Sequence, residues 1–477
     1  MTRFLPSVAL SFLLLGGCML APDYERPSAP VPLNWPTGAA YEDEQTAAKS
    51  VVEVTDLGWQ DFFQSDAMRS LIAQALANNR DLREAVLNVE QARALYRVQR
   101  ADLLPSISGD GTMARERVPD DLSATGQAQT GSSYGVQANI SAYELDLFGR
   151  VRSLNEQALQ EYFATDEARR AAQIALIAEV ANAYLTLRAD QRLLALTEET
   201  LQTQEKSLEL VQMTFDRGIS SKLDLVQSQT AVETARVNRY AFIRQVALDR
   251  NALTLLVGAP VDDDALDRAD NIDNFVADLP AGLPSDLLRN RPDIRQAEHL
   301  LQGANANIGA ARAAFFPSIT LTAAGGTASG SLSGLFEPGS GAWSFMPQIS
   351  LPIFEGGRNL ANLEVAEIQK DINIARYEVT IQTAFREVAD ALAGRGTYDA
   401  QVAAQQALVD VTDESYTLAE RRYRSGIDSF LTLLDAQRSL YAAEQELIRI
   451  RLASVSNTVN LYKVLGGGGF AEAANEE

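Results

Sequence analysis

The chain has one cysteine and one histidine in 477 residues. One Cys cannot close an internal disulfide. A single Cys and a single His also remove most metal-ligand sets and the Cys/His and Ser/His/Asp catalytic arrangements. Positive charge is short as well, with 41 Lys and Arg against 63 Asp and Glu, a net charge of -22 and a pI near 4.6. That balance argues against nucleic acid as a partner. No run after the N-terminus is long and apolar enough for a membrane helix. The nearest, 171–187, carries Glu179 and Asn182 and reads as one face of an amphipathic helix. Proline is absent between Pro119 and Pro260, and glycine between Gly149 and Gly258 except at Gly218. A stretch so free of breakers predicts very long helices.

The lone Cys has an explanation at the N-terminus. A short basic start, an apolar run from Phe4 to Leu15 and then Leu15-Gly16-Gly17-Cys18 resemble a lipoprotein signal with its lipobox. The resemblance implies removal of residues 1–17 and lipid on the sulfur and new amino group of Cys18. An ordinary signal peptide with an incidental Cys is the alternative. Met19, not Asp, follows the Cys, which by the same resemblance directs the chain to the outer membrane. Residues 18–64 follow as a lipid-anchored extended segment, Pro-rich from Ala21 to Pro32, a tether without a core.

The rest divides into two halves. Asp81-Leu-Arg-Glu-Ala85 recurs as Asp293-Ile-Arg-Gln-Ala297, and Pro105-Ser-Ile107 as Pro317-Ser-Ile319, at one offset of 212 residues. Phe215-Asp-Arg-Gly-Ile-Ser-Ser recurs as Tyr423-Arg-Ser-Gly-Ile-Asp-Ser at an offset of 208. The halves are 65–275 and 276–465, with a linker near 279–284 and a flexible tail at 466–477 after a run of four glycines. Each half is expected to contain a helix, two strands and a long helical hairpin. The strands are read from period-two alternation at 104–115 with 132–147, and at 317–328 with 342–354. Pro347 lacks a backbone donor, so an edge or a bulge is expected there. Val180, Leu187, Leu194, Leu201, Leu208 and Phe215 recur every seven residues, a coiled-coil seam. A helix over 150–217 would be about 100 Å long and must pack on comparably long neighbours. The second long helix, 358–424, is expected to be interrupted at Gly394 and Gly396. Gly218 and Gly426 supply the positive φ that ends each outgoing helix, and Ser221 or Asp428 can cap each return.

Each strand is of membrane-crossing length, yet the chain has four, and a closed transmembrane barrel needs at least about eight. An open edge in lipid would leave backbone groups unpaired. Several copies must therefore share one barrel, though the count alone does not choose among two, three or four. The alternative is a small soluble sandwich on a helical stalk. The Cys18 signal opposes it, as do the aromatics grouped toward the strand ends: Tyr134, Trp343 and Phe345 at one side, Phe148, Phe315, Phe316 and Phe354 at the other.

The lipobox, Pro22-Asp23-Tyr24 with Arg26-Pro27, the tandem halves and the two bends, most specifically Tyr423 to Asp428 and Thr432 to Arg438, resemble the TolC-like outer-membrane efflux factors. The lipoprotein branch serving resistance–nodulation–division pumps is the nearest. The resemblance implies a mainly α chain with a transmembrane β part: long hairpins in a periplasmic α-barrel and four strands per chain in a shared trimeric β-barrel. It implies a homotrimer in outer-membrane lipid, meeting a periplasmic adaptor protein and an inner-membrane transporter. Carried over by position, Leu431 and Asp435 would narrow the pore as a periplasmic gate. Asp224, Arg422, Tyr423 and Arg424 would link neighbouring hairpins at the tip, and the bends at Gly218 and Gly426 would dock the adaptor. Asp435 is matched by Gln227 in the first half, so one bend per chain carries that acid.

Other candidates are bland. His299 reads as helix packing, Asp262 to Asp270 lack the Gly and terminal Glu of a calcium loop, and the terminal glycines lack the Lys-Ser/Thr of a phosphate loop. No nucleophile has a partnered base and nothing binds nucleotide. The expectation is a passive export duct, not an enzyme, with no cofactor beyond the lipid. The outlet of a protein-secretion or metal-export system is a rival within the class. A non-conducting periplasmic stalk or adaptor is the rival outside it.

Overall fold

A computed structural model describes residues 19–32, 34–41, 57–262, 266, 276 and 290–467. The expected signal peptide 1–17, the lipid acceptor Cys18, the linker at 279–284, most of the acidic loop and the tail beyond 467 lie outside the described residues. Eight α-helices and four strands are named here: α1 Trp59–Phe62, α2 Asp66–Asn78, α3 Arg80–Ala101, β1 Ile107–Val118, β2 Gln129–Glu144, α4 Arg150–Asp216, α5 Lys222–Val257, α6 Pro292–Ala313, β3 Ser318–Ser329, β4 Gly341–Ser350, α7 Arg358–Arg424 and α8 Phe430–Val464. The chain divides into two compact units. One comprises Met1–Ser28, Asn88–Asp166 and Gln296–Glu378, and the other Ala29–Leu87, Glu167–Arg295 and Val379–Glu477.

The first unit holds the sheet. Its order is β1-β2-β3-β4, antiparallel throughout, so β1 and β4 are both free edges among the described residues. Apolar residues pair across it, Ile107 with Ile140 and Met113 with Tyr134. The opposite face is polar, where Asn139 hydrogen-bonds Asp110 and Ser108 donates to Asp110 at 3.0 Å. Trp343 is 82% exposed and Ile349 69%, so among the described residues of one chain nothing packs against this part of the apolar face. Pro347 sits opposite Leu321 on the edge strand without a register shift. The bulge is on β2 instead, between Ile140 and Tyr143, where Ala142 adopts a φ of 48°.

The first hairpin lies three residues nearer its turn than expected from alternation. At its start, helical turns continue through Leu103 and Leu104. At its far end, Arg115–Val118 pairs with Gln129–Ser132; ladder hydrogen bonds need no apolar side chains, so alternation missed this polar stretch. The second hairpin's β4 ends at Ser350, just before the donorless Pro352.

In the same unit α6 packs closely on α4 at glycines. A Cβ at Gly303 would lie 3.5 Å from the Gln157 carbonyl, and one at Gly309 would lie 2.5 Å from Ser153 Oγ. His299 is a packing residue here, its Nδ1 2.7 Å from Gln160 Oε1 and its ring beside Phe163. The N-terminal segment is extended but not a free tether. Arg26 grips Glu298 through two bonds of 2.7 and 2.9 Å, because α6 presents a nearly buried carboxylate there.

In the second unit the tandem halves can be compared atom by atom. Asn79 Nδ2 donates to the Leu256 carbonyl at 2.8 Å, and Arg291 Nη1 donates to the Val464 carbonyl at 2.9 Å. These pairs are related by the two repeat offsets, 212 and 208 residues. Gly258 and Gly466 follow the return helices at φ of 71° and 80°. Gly258 also has the Asn78 carbonyl 2.5 Å from where a Cβ would be, so the close approach requires glycine. Trp59, Phe62 and Phe63 are buried, with Phe62 stacked on Tyr462 at 4.0 Å. A helical pattern is expected to open at these three aromatics, and Trp59 and Phe62 do lie on α1, with Phe63 as its C-cap.

Both outgoing helices are 67 residues long. The expected interruption at Gly394 and Gly396 does not occur, since α7 runs through both. Glycine is needed at 394 for another reason: a Cβ would meet Asn457 Oδ1 at 2.5 Å, and Asn457 reaches past it to the Ala391 carbonyl at 2.9 Å. Among the described residues no helix is long and apolar enough to cross a membrane.

Candidate functional site at the helical bends

The two bends belong to the second unit and are built the same way. Gly218 N–H bonds the Phe215 carbonyl at 2.8 Å and Ile219 N–H the Thr214 carbonyl at 2.8 Å. Gly426 and Ile427 repeat this with Tyr423 and Arg422 at 2.9 and 3.0 Å. This is the Schellman closure, which needs a positive φ, and the glycines supply 76° and 71°. The hydrophobic residue after such a glycine ordinarily packs back on its helix. Here Ile219 and Ile427 are 75% and 64% exposed.

The return helices start on serines. Ser221 Oγ accepts from Asp224 N–H at 3.1 Å, and the Asp224 carboxylate accepts from Ser221 N–H at 3.0 Å, a complete capping box. The second cap is Ser429, which accepts from Thr432 N–H at 3.4 Å, and not Asp428. Asp428 is held elsewhere, by both Arg422 Nε and Nη2 at 2.7 and 2.8 Å. That two-point ion pair keeps the Asp428 carboxyl below its ordinary range and raises the Arg422 guanidinium.

The four residues expected to link hairpins therefore divide. Asp224 closes its own cap. Arg422 binds Asp428 across its own bend. Arg424 binds Glu420 one turn back at 2.7 Å. Only Tyr423 faces the other hairpin of the same chain, where its hydroxyl is influenced by the Ser220 and Thr214 hydroxyls. Burial raises its pKa above the usual phenol value, and the Asp224 charge adds to this, against the lowering by the Ser220 and Thr214 hydroxyls. Its ring meets Phe430 edge-on at 5.7 Å. Beneath it, Val211, Leu225, Ala231, Ala419, Phe430, Leu433 and Leu434 form one core drawn from all four helices.

Sequence reasoning missed Thr214 and Ser220. Their hydroxyls lie 2.6 Å apart, and by the repeat offset they occupy the places of Arg422 and Asp428. One bend thus carries a neutral hydroxyl pair where the other carries an ion pair. The signal was a polar residue at both ends of a six-residue interval spanning the glycine. Phe215 stands where Tyr423 would and has no hydroxyl, so it makes no reciprocal polar contact.

Leu431 and Asp435 lie one turn apart on α8, both exposed, while Leu433 and Leu434 between them are buried. Asp435 forms no ion pair among the described residues. Among the described residues no cluster of acids, histidine and cysteine could hold a metal.

The chain matches the model of the family described as outer membrane efflux protein, over residues 71–259 and 283–467. Among curated proteins, the antibiotic efflux pump outer membrane protein ArpC and the toluene efflux pump outer membrane protein TtgC, both of Pseudomonas putida, are each 52% identical over 479 aligned residues. In both cases the match covers all of this chain and 98% of the relative. Among solved structures, the open state of the MtrE outer membrane channel of Neisseria gonorrhoeae superposes with a TM-score of 0.85 at 39% identity, over 94% of this chain and 98% of that one.

Proposed function

From the premise that the chain belongs to the outer membrane efflux protein family, and is the outer-membrane channel of an efflux pump, we propose that it works as a homotrimer, lipid-anchored at Cys18 and gated at its bends. The observation that carries the reading is the open sheet. Among the described residues, four strands of 10 to 16 residues form one antiparallel sheet with two unpaired edges and an apolar face that nothing covers. In lipid each unpaired edge group costs several kcal/mol. Joining β4 of one chain to β1 of the next removes both edges at once. Three copies pass the minimum of about eight strands for a closed barrel.

The helices then continue the duct into the periplasm, and the bends are its inner end. The exposed Ile219 and Ile427 present apolar surface to a periplasmic adaptor, which joins the duct to an inner-membrane transporter. Leu431 and Asp435 come around the axis in three copies and narrow the opening. Three like carboxylates at close quarters repel one another, so this end is poised to widen once its other contacts yield. Transport through the duct is passive, and the protein is not an enzyme. Relatives of equal identity are named for antibiotic and for toluene export. We infer that small, largely apolar molecules pass through and that the duct does not select among them.

Purified protein in planar bilayers tests this directly. Discrete single-channel conductance from a trimer in detergent is expected. A stable monomer, or a trimer that never conducts, overturns it.

A further inference from the structure

The first unit contains a cavity of about 310 Å³ where the helices meet the foot of the sheet. Its lining includes Asp146, Phe148, Arg150, Ala314, Phe316 and Asn359. Phe148 and Phe316 stack at 4.7 Å to form a wall. Arg150 is braced by Glu144 at 2.8 and 2.5 Å. Asp146 accepts through one oxygen from the backbone and side chain of Arg152, at 2.9 and 3.0 Å. Its other oxygen, Oδ1, is buried and has no hydrogen-bond partner. A buried acceptor without a donor is costly, so this one calls for something outside the described residues.

The N-terminal segment leads to this cavity along a fitted track. Tyr24 and Arg26 bind Glu298, with the Tyr24 hydroxyl donating at 3.1 Å. Asn305 Nδ2 donates to the Pro22 carbonyl at 2.7 Å, and Arg312 Nη1 to the Leu20 carbonyl at 3.3 Å. Between these, Ala21 lies so close to Gly309 that a Cβ there would come within 2.7 Å of the Ala21 nitrogen. The contacts fall on one face of α6 and run antiparallel to it. From Glu298 to Arg312 the helix rises about 21 Å. From Arg26 to Leu20 an extended chain covers about 20 Å. The match leaves no slack. At Leu20 the segment has reached the last turn of α6, whose next residues, Ala313 and Ala314, line the cavity. On the neighbouring helix α4, Ser153 flanks Gly309, and Arg150 one turn before it also lines the cavity.

Cys18 is two residues further on, within about 7 Å. We propose that this cavity seats the acylated head of Cys18, the thioether-linked glyceryl diester and the N-acyl amide, and so fixes the lipid anchor at the foot of the sheet. The chemistry fits. The new amide N–H is a donor for Asp146 Oδ1, the ester and amide carbonyls are acceptors for the arginines, and the Phe148–Phe316 wall suits the first methylenes. The volume admits roughly ten water-sized groups, about the size of the glyceryl diester without its tails. β2 and β4 end and β3 starts at the cavity, so the acyl tails leave it beside the apolar face of the sheet. This rests on the reading that Cys18 is acylated.

The test separates the two. Full-length protein is purified from membranes with benzoylphenylalanine in place of Arg358, an exposed residue of the lining, and in place of Leu360 as a control outside it. Intact mass reports acylation, and irradiation reports proximity. Triacylated protein whose position 358, but not 360, labels the Cys18 lipopeptide of its own chain is the expected result. A mass without lipid overturns the acylation reading, and the seat with it. A triacylated mass with no label, or with label only to a neighbouring subunit, overturns the seat alone. Hydrogen exchange gives an independent measure on unlabelled protein. Amides in 144–150 and 313–318 should exchange several-fold more slowly in the acylated chain than in Cys18→Ser carried by an ordinary cleavable signal. Equal rates count against the seat.

Discussion

Tyr423→Phe removes the hydroxyl that faces the other hairpin of its chain at the tip, and leaves the link farther along the hairpins, Thr197 Oγ1 to the Tyr441 hydroxyl at 2.7 Å, untouched. The change removes a single oxygen and keeps the ring that meets Phe430 edge-on. The polar interaction of that hydroxyl with Thr214 and Ser220 is lost. Those two hydroxyls still have each other at 2.6 Å, so no buried group is orphaned and the cost sits at the low end, about 1 kcal/mol per chain. If dilation of the tip separates the hairpins, the loss favours the open form in each chain. Three chains opening together would add to about 3 kcal/mol, or about two orders of magnitude in the open-to-closed ratio. Single-channel recording in planar bilayers reads that ratio directly. An open fraction that moves less than threefold, in protein that remains trimeric, refutes the reasoning. It would mean that the two hairpins move as one body and that the gate opens along the seam between chains. Arg422→Ala is the informative companion. It removes an ion pair confined to one bend and should leave the ratio nearly unchanged if Tyr423 is the link that yields.

Ser221→Ala removes half of the capping box with Asp224 and should lower the stability of the unit holding the bends by about 1 kcal/mol in denaturant titration. Arg291→Ala strips the partner of Glu387 and Asp293 and the donor to the Val464 carbonyl. Its side chain is 10% exposed, so the cost should reach about 3 kcal/mol. Asp190, on α4, lies near Asp249, and burial together with that neighbour lifts its pKa to about 7, while Arg449 pulls the other way. The folded chain then holds a proton that the unfolded chain releases near pH 4, so stability should fall as pH rises from about 4 to 7. Asp190→Asn should flatten that dependence in thermal melts recorded across the range.

The tandem order of helices and strands was legible because it is carried by periodicity and by glycine and proline, which act locally. Gly218 and Gly426 set their own φ wherever the chain is, and offsets of 212 and 208 residues placed the second copy on the first. Side-chain partners were less legible, because a carboxylate goes to whichever donor the fold brings nearest. Asp428 reads as a cap from its position after glycine, yet the Schellman turn carries it back to Arg422, six residues earlier, and leaves the cap to Ser429. Gly394 and Gly396 read as breaks because glycine weakens an isolated helix by about 1 kcal/mol each. That is little against the packing along a 67-residue helix, and at Gly394 the missing Cβ is what admits Asn457. The informative differences are those between the copies themselves. Thr214 and Ser220 against Arg422 and Asp428, Phe215 against Tyr423, and Gln227 against Asp435 all fall at the bends, where one half of the molecule must do something the other does not. The backbone closures stay equal there while the side chains diverge. That pattern suits a hinge whose geometry is fixed twice and whose lock is fitted once.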